Sequence, residues 1–201
     1  SSFWGDIVTV NEISSPFGAG WGLAGFQKLV TTGLDVILVD GDGSHILYRA
    51  KTTGEVGTFN TGADQRTPIA TSFTAPPGHF STLLPIFQET PSGSGFVRSL
   101  TGYRLTQTDQ TVFTYDAGGR RIQKEEFTWN TSTSVYQLST QTKFVYNGWD
   151  MVAELDGTSA PLRSYGWLGK GGGLLWVKDH GSGAFHVPGY DGNGNITRLI
   201  N

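Results

Sequence analysis

Four times in this chain an apolar or aromatic residue is followed by Asp or Asn, then by Gly or Ala, then by small polar residues and a new β-favouring run. The copies are Val39-Asp40-Gly41-Asp42-Gly43, Tyr115-Asp116-Ala117-Gly118-Gly119, Tyr146-Asn147-Gly148-Trp149-Asp150 and Tyr190-Asp191-Gly192-Asn193-Gly194. Each carries the chemistry of a tight hairpin turn. The Asx side chain can cap the turn, and glycine enters the positive-φ region without steric cost. The Tyr before the turn is expected to end its strand with the ring stacked on the next hairpin and the hydroxyl at the surface. A chain punctuated in this way folds as a succession of antiparallel hairpins.

The segments between the turns agree with that reading. Gly, Thr and β-branched residues interrupt every window in which a helical repeat could build, so the chain reads as all-β. Short strands are expected at Asp6 to Val10, Val36 to Val39, His45 to Arg49, Val97 to Leu105, Thr111 to Tyr115, Ile122 to Trp129, Ser134 to Leu138, Thr142 to Tyr146, Met151 to Leu155, Leu162 to Trp167, Leu174 to Lys178 and Asn195 to Ile200. The best helix candidate, Leu23 to Val30, is one or two turns long. Phe113 with Tyr115, Phe127 with Trp129, Tyr136 with Leu138 and Tyr165 with Trp167 alternate with other residues, which places each pair on one face of its strand. Val36-Ile37-Leu38-Val39 is apolar on both faces and suits a central strand covered on both sides. Lys51 to Thr67 and Gln88 to Gly95 are polar and rich in Gly, Ser, Thr or Pro, as loops are, although the alternation retained from Gly54 to Phe59 also fits a long hairpin arm in the first. The second separates an N-terminal β unit, residues 1–90, from a C-terminal meander, residues 91–201.

Composition narrows the function classes. Charged residues make up 15% of the chain against an average of about 25%, and the formal net charge is −3 with no basic run. That argues against a nucleic-acid surface, which needs clustered Lys and Arg. The absence of cysteine removes disulfides, thiol nucleophiles and Cys-ligated metals. No stretch reaches the roughly 18 apolar residues of a membrane helix. Ser1 to Asp6 has neither a basic nor an apolar leader region, so a signal peptide is expected to be absent or already removed. Low charge, high Thr content and no Cys suit an extracellular or cell-surface protein.

No catalytic constellation stands out. Ser92-Gly93-Ser94-Gly95 and Gly181-Ser182-Gly183 lack the spacing of a nucleophile elbow and read as turns. His45, His79, His180 and His186 form no H-x-x-x-H pair, although His180 and His186 could approach across a hairpin. Asp40 to Ser44 and Asp191 to Asn195 alternate oxygen ligands like the opening of a calcium loop, but lack its distant bidentate Glu. Gly169-Lys170-Gly171-Gly172-Gly173 lacks P-loop spacing. Glu125-Glu126 beside Arg120, Arg121 and Lys124 reads as a solvated strand with cross-strand ion pairs. No catalytic residue, metal site or cofactor is therefore expected.

Several longer motifs together resemble the RHS/YD-repeat family. Ser15-Pro16-Phe17-Gly18-Ala19-Gly20-Trp21-Gly22-Leu23-Ala24-Gly25 is similar to that family's opening motif, and Pro76-Pro77-Gly78-His79-Phe80-Ser81-Thr82-Leu83 to its P-x-G-D/H-F/Y-S-T-L segment. Tyr115 to Arg121 resembles the YDALGRR repeat, Phe144 to Leu155 the YVYDGWNLVAEL variant, and Tyr190 to Asn195 the YDGNGN segment. The resemblance implies a hairpin array winding into a spiral sheet, used as a toxin-enclosing shell in bacteria and within adhesion receptors in animals. It departs from the family in its few repeats and in lacking, up to Asn201, the self-cleaving aspartates expected after the last repeat. About a dozen strands of roughly 17 Å are too few for a closed cage.

An open array leaves unpaired edges that another chain can use by strand addition. The expected function is thus a non-enzymatic extracellular structural protein that assembles with copies of itself, head-to-tail into a surface filament or shell. The segment offered for exchange carries Phe3, Trp4, Ile7, Val8, Val10 and Ile13, and the simpler alternative keeps it as an ordinary first strand of its own domain. One-directional exchange does not close and gives a fibre. The second expectation is a carbohydrate-binding adhesion module using Trp149, Trp167, Trp176 and Tyr190, and the third a fragment of a toxin-enclosing shell. Asn130-Thr131-Ser132 and Asn195-Ile196-Thr197 are acceptor sequons for N-glycosylation.

Overall fold

A computed structural model describes residues 27–40, 44–52, 70–93, 95–169, 173–191 and 196–201. The segment Phe3 to Ile13, the predicted strand Asp6 to Val10 and most of the loop 51–67 lie outside the described residues. The described chain is all-β and antiparallel, with no helix. A four-stranded sheet comprises β1 (Lys28–Thr32), β2 (Asp35–Val39), β3 (His45–Lys51) and β4 (Ser72–Thr74), in that order. A second sheet holds β5 (Thr82–Ser92), β6 (Gly95–Thr106), β7 (Val112–Asp116), β8 (Arg121–Asn130), β9 (Val135–Asn147), β10 (Asp150–Asp156), β11 (Pro161–Trp167), β12 (Leu174–Asp179), β13 (Phe185–Tyr190) and β14 (Ile196–Ile200). Its spatial order is the chain order from β5 to β14, and it does not close into a barrel. Within each sheet every strand pairs only with its neighbours in sequence, as a hairpin array demands, and one isolated bridge, Lys28 with Arg120, joins β1 to the turn after β7.

The core lies where the small sheet packs on the first strands of the large one. Leu29, Val36, Leu38, Tyr48 and Phe73 from β1–β4 meet Leu83, Tyr103, Leu105, Phe113 and Tyr115 from β5–β7. Each fully buried large apolar side chain of this cluster contributes about 1.5–3 kcal/mol. Phe73 and Tyr103 bring their rings to 6.1 Å, and the Tyr48 hydroxyl is 2.6 Å from Ser81 Oγ across the layers. Val36 to Val39 of β2 are all buried, in keeping with the expectation from their unbroken apolar run. Among the described residues this cluster draws no member from beyond β7, while Phe144, Met151, Leu174 and Val177 are buried farther along the large sheet.

The turn between β7 and β8 fastens the sheets together. Asp116 Oδ1 accepts the Arg120 N–H at 2.9 Å, and Asp116 Oδ2 accepts from Arg120 Nε at 2.7 Å. Gly119, at φ +85°, presses its backbone against β1, where Leu29 N–H donates to the Gly119 carbonyl at 2.9 Å. A Cβ on Gly119 would stand 2.0 Å from the Leu29 carbonyl oxygen. Arg120 then spans to the next but one hairpin turn, between β9 and β10, donating from its guanidinium to the Gly148 carbonyl at 2.6 Å and lying over the Tyr146 ring.

Five readings from sequence are corrected here. Lys28 to Val30, the end of the predicted helix, belongs to β1, because pairing with β2 outweighs a weak local preference. Ser134 to Leu138 and Thr142 to Tyr146 are not separate strands. They belong to β9, which absorbs the extra residue Ser139 as a bulge opposite Glu126 and Phe127, and Ser139 Oγ donates to the Glu126 carbonyl at 2.8 Å. Gln88 to Gly95 is not a linker but the far end of the β5–β6 hairpin, paired as far as Ser92 with Gly95. The tyrosine hydroxyls before the turns are bonded to other segments of the fold: Tyr115 donates to Gln27 Oε1 at 3.1 Å, Tyr146 to the Arg121 carbonyl at 2.9 Å and Tyr190 to the Leu174 carbonyl at 2.5 Å. Each thereby ties its turn to another segment. Finally, Lys124 pairs at 2.7 Å with Glu126 on its own strand, and not across to a neighbour.

The two glycines at turns separate two kinds of cost. Gly119→Ala combines the positive φ with a backbone collision and is expected to lose about 3 kcal/mol or more in urea denaturation. Gly148→Ala, at φ +66° with open space around its Cβ position, should lose only about 1 kcal/mol.

Candidate functional site

Among the described residues one cation is buried. Arg121, 8% exposed, carries its guanidinium between the Phe144 ring at 4.4 Å and the Phe113 ring at 5.5 Å. The register makes this sandwich, since Tyr115 lies opposite Arg121 and a bulge at Ile122 turns Arg121 onto the face of Phe113. Arg121 Nε has no hydrogen-bond partner among the described residues. Burial is the largest influence on its pKa and lowers it, opposed by Tyr115, Tyr146, Glu154 and Asp40. Tyr146 nearby is pushed up to about 12, chiefly by burial. The ring faces compensate part of the charge's desolvation, but an unpaired buried N–H is a cost. Farther along that face, Glu154 accepts from the Tyr165 hydroxyl at 2.7 Å and from Arg163 at 3.2 Å. Burial first, then this bond to Glu154, raises the Tyr165 pKa.

The four aromatic residues singled out for sugar stacking do not form one platform. Trp149 is exposed in the β9–β10 turn. Trp167 ends β11 with its indole N–H donating to the Met151 carbonyl at 2.7 Å. Tyr190 ends β13 and is tied to the Leu174 carbonyl. Trp176 stands on the opposite face of the sheet from these two, because its partner Gly166 precedes Trp167 by one residue. There it stacks on Phe185, with ring centroids 5.4 Å apart and 26° between planes. Phe185 escaped the sequence reading because β13 contains Pro188 and Gly189, which mask a strand, and the diagonal contact depends on register. A second exposed pair, Trp129 and Tyr136, meets edge to face at 5.1 Å near the end of the β8–β9 hairpin.

The Asx residues act mainly within turns. Asn130 Oδ1 accepts from Ser132 and Thr133 N–H groups while its Nδ2 donates to Gln137 at 2.9 Å, so this sequon amide is engaged in the fold. Asn195 lies outside the described residues. Asp156 Oδ1 accepts from Thr158 N–H, Thr158 Oγ1 and Ala160 N–H. Asp179 Oδ1 accepts from Ser182 N–H and Oγ. His180 Nε2 lies 2.9 Å from Ser164 Oγ in a hydrogen bond, while His186 pairs with Val177 in the ladder, so the two histidines engage different partners. Residues 41–43, 170–172 and 192–195, which complete the other loops considered, lie outside the description. Among the described residues no three metal-ligating side chains gather, and no helix is long and apolar enough to cross a membrane.

The large sheet ends in two strands of different character. β5 carries Pro85 and Pro91, which have no N–H to offer a further strand. β14, Ile-Thr-Arg-Leu-Ile, has no proline, pairs on one side with β13, and has no strand on its other side among the described residues. Leu199 and Ile200 are about half exposed. No protein-family model matches this sequence, and no curated protein matches it.

Two outcomes test this chemistry. Arg121→Met, an apolar side chain of similar length, is expected to lie within about 1 kcal/mol of the parent or above it, whereas Arg121→Ala should lose about 2–4 kcal/mol in thermal or urea unfolding. The hydrogen bonds to Asp156, led by Thr158, and to Asp179, led by Ser182, hold both carboxyls below their ordinary values. Their contribution to stability is complete above the unfolded value of about 3.9 and is lost as pH falls through the depressed folded values. Asp156→Ala should therefore lower the urea midpoint at pH 6, with the gap from wild type closing as the pH approaches about 2.

Proposed function

We propose that this chain is a non-enzymatic structural module of the RHS/YD-repeat type, acting outside the cell or at its surface, and that it assembles with copies of itself by β-strand addition. The observation that carries this reading is the outer edge of β14, which has no further strand on it among the described residues, at the end of a strictly sequential sheet. Each unpaired edge N–H and C=O gains a partner when another strand docks, and the half-exposed Leu199 and Ile200 add apolar area to the contact. The prolines of β5 leave the two ends unequal, which suits head-to-tail growth over symmetric closure. The donor in this reading is the apolar segment bearing Phe3, Trp4, Ile7, Val8, Val10 and Ile13.

A second reading, a carbohydrate-binding adhesion module, is favoured by the Trp176–Phe185 stack on an open sheet face. Negative-stain electron microscopy with light scattering at several concentrations separates the two. Self-assembly predicts regular filaments or oligomers that grow with concentration, and that are lost on deletion of residues 3–13 or on Leu199→Lys, which places a charge on the edge. A monodisperse particle near 21.7 kDa at every concentration would sink the assembly reading.

A further inference from the structure

The face bearing Trp176 is built flat. Gly166 lies opposite Trp176 in the β11–β12 ladder, and a Cβ on Gly166 would fall 2.1 Å from the indole Nε1. The indole therefore lies down across the neighbouring strand. The same device recurs two strands away. Gly189 lies opposite Arg198, and a Cβ there would meet the Arg198 side chain at 2.9 Å from Cγ and 3.0 Å from Nε. Each glycine supplies the space in which its partner lies along the sheet.

Register assigns the rest of this surface. Lys178 shares the face of Trp176 and pairs with Ser164 on one side and Phe185 on the other. Phe185, Val187 and Gly189 alternate on that face along β13, and Phe185 and Val187 are about half exposed. Ser164 carries a polar edge through its 2.9 Å contact with His180. On the described part of β11–β14 this face holds two cations, Lys178 and Arg198, and no carboxylate. Asp179 belongs to the other face, opposite Arg163. Neither cation has an ion-pair partner among the described residues.

We propose that this face binds an acidic polysaccharide, a chain of uronate sugars. This rests on the second reading given above and deepens it. The flat indole and Phe185 offer an apolar surface to the C–H face of a sugar ring, Lys178 and Arg198 pair with uronate carboxylates, and Ser164 with His180 offers hydrogen bonds to hydroxyls. Lys178 and Arg198 lie two strands and four residues apart, roughly 16 Å at ordinary strand spacing and rise. A single sugar ring cannot reach both, so the ligand is an oligomer.

Titration of the full chain with oligogalacturonate, followed by tryptophan emission and calorimetry, tests the proposal. Binding is expected to weaken at least tenfold in Lys178→Ala/Arg198→Ala, to weaken with salt, and to be much poorer for monomeric galacturonate and for the fully methyl-esterified oligomer. Trp176→Phe, which leaves Gly166 covered by a ring, should weaken binding without loss of the far-ultraviolet β signature. Equal affinity in the parent and the double variant overturns the proposal. Equal binding of the neutral ester overturns the acidic preference while leaving a sugar site, and no binding of acidic or neutral glycan overturns the adhesion reading with it. Preferential binding of a single-stranded oligonucleotide would assign the face to nucleic acid and overturn the proposal as well.

Discussion

The close approach of the Gly119 backbone to Leu29 is the constraint on which the rest of the architecture depends. It is possible only with a residue that lacks a side chain and sits at positive φ. Asp116 sets the turn that presents Gly119, and Arg120 leads from that turn to the Gly148 carbonyl of the next but one hairpin turn. One short segment thus closes the β7–β8 hairpin, fixes the small sheet over the large one and aligns the following part of the array. The apolar cluster between the sheets supplies the larger free energy, but it is non-directional. The turn decides how the two layers meet.

Beyond the two-layer region, order comes from side chains reaching to neighbouring backbone. Tyr146 bonds the Arg121 carbonyl, Trp167 the Met151 carbonyl and Tyr190 the Leu174 carbonyl. These aromatic residues are therefore committed to holding strands together, which explains why they make a poor common ligand platform. Trp176 differs because it lies on the other face, over Gly166 and against Phe185. The edge of β14 and this face are separate surfaces of the same C-terminal strands, one offering backbone groups and the other side chains.

The hairpin plan was legible because Asx-Gly turns and alternating strands are local signals. Val36 to Val39 announced a covered central strand for the same reason. Proline and polar runs concealed other elements: Pro85 and Pro91 hid β5, Pro188 and Gly189 hid β13, and Ser139 split β9 on paper although it bulges within one strand. The hydrogen bonds of the tyrosine hydroxyls, the Arg121 sandwich and the Trp176–Phe185 stack were not legible. Each depends on which residue faces which across a ladder, and a one-residue bulge reverses that assignment.

Because every strand of the large sheet is hydrogen-bonded within that sheet only to its sequence neighbours, resistance to load is unevenly distributed. Tension applied at the C-terminal end meets one ladder at a time, beginning with β13–β14, whose partner β13 is itself joined to β12 by only two register pairs. Such a sheet peels in steps, each strand's release leaving the remainder intact, as in other nearest-neighbour architectures. The two-layer region with Gly119 at its seam would yield last and in one piece. Pulled from its C-terminal end, an array of this kind gives way strand by strand while its two-layer region stays folded.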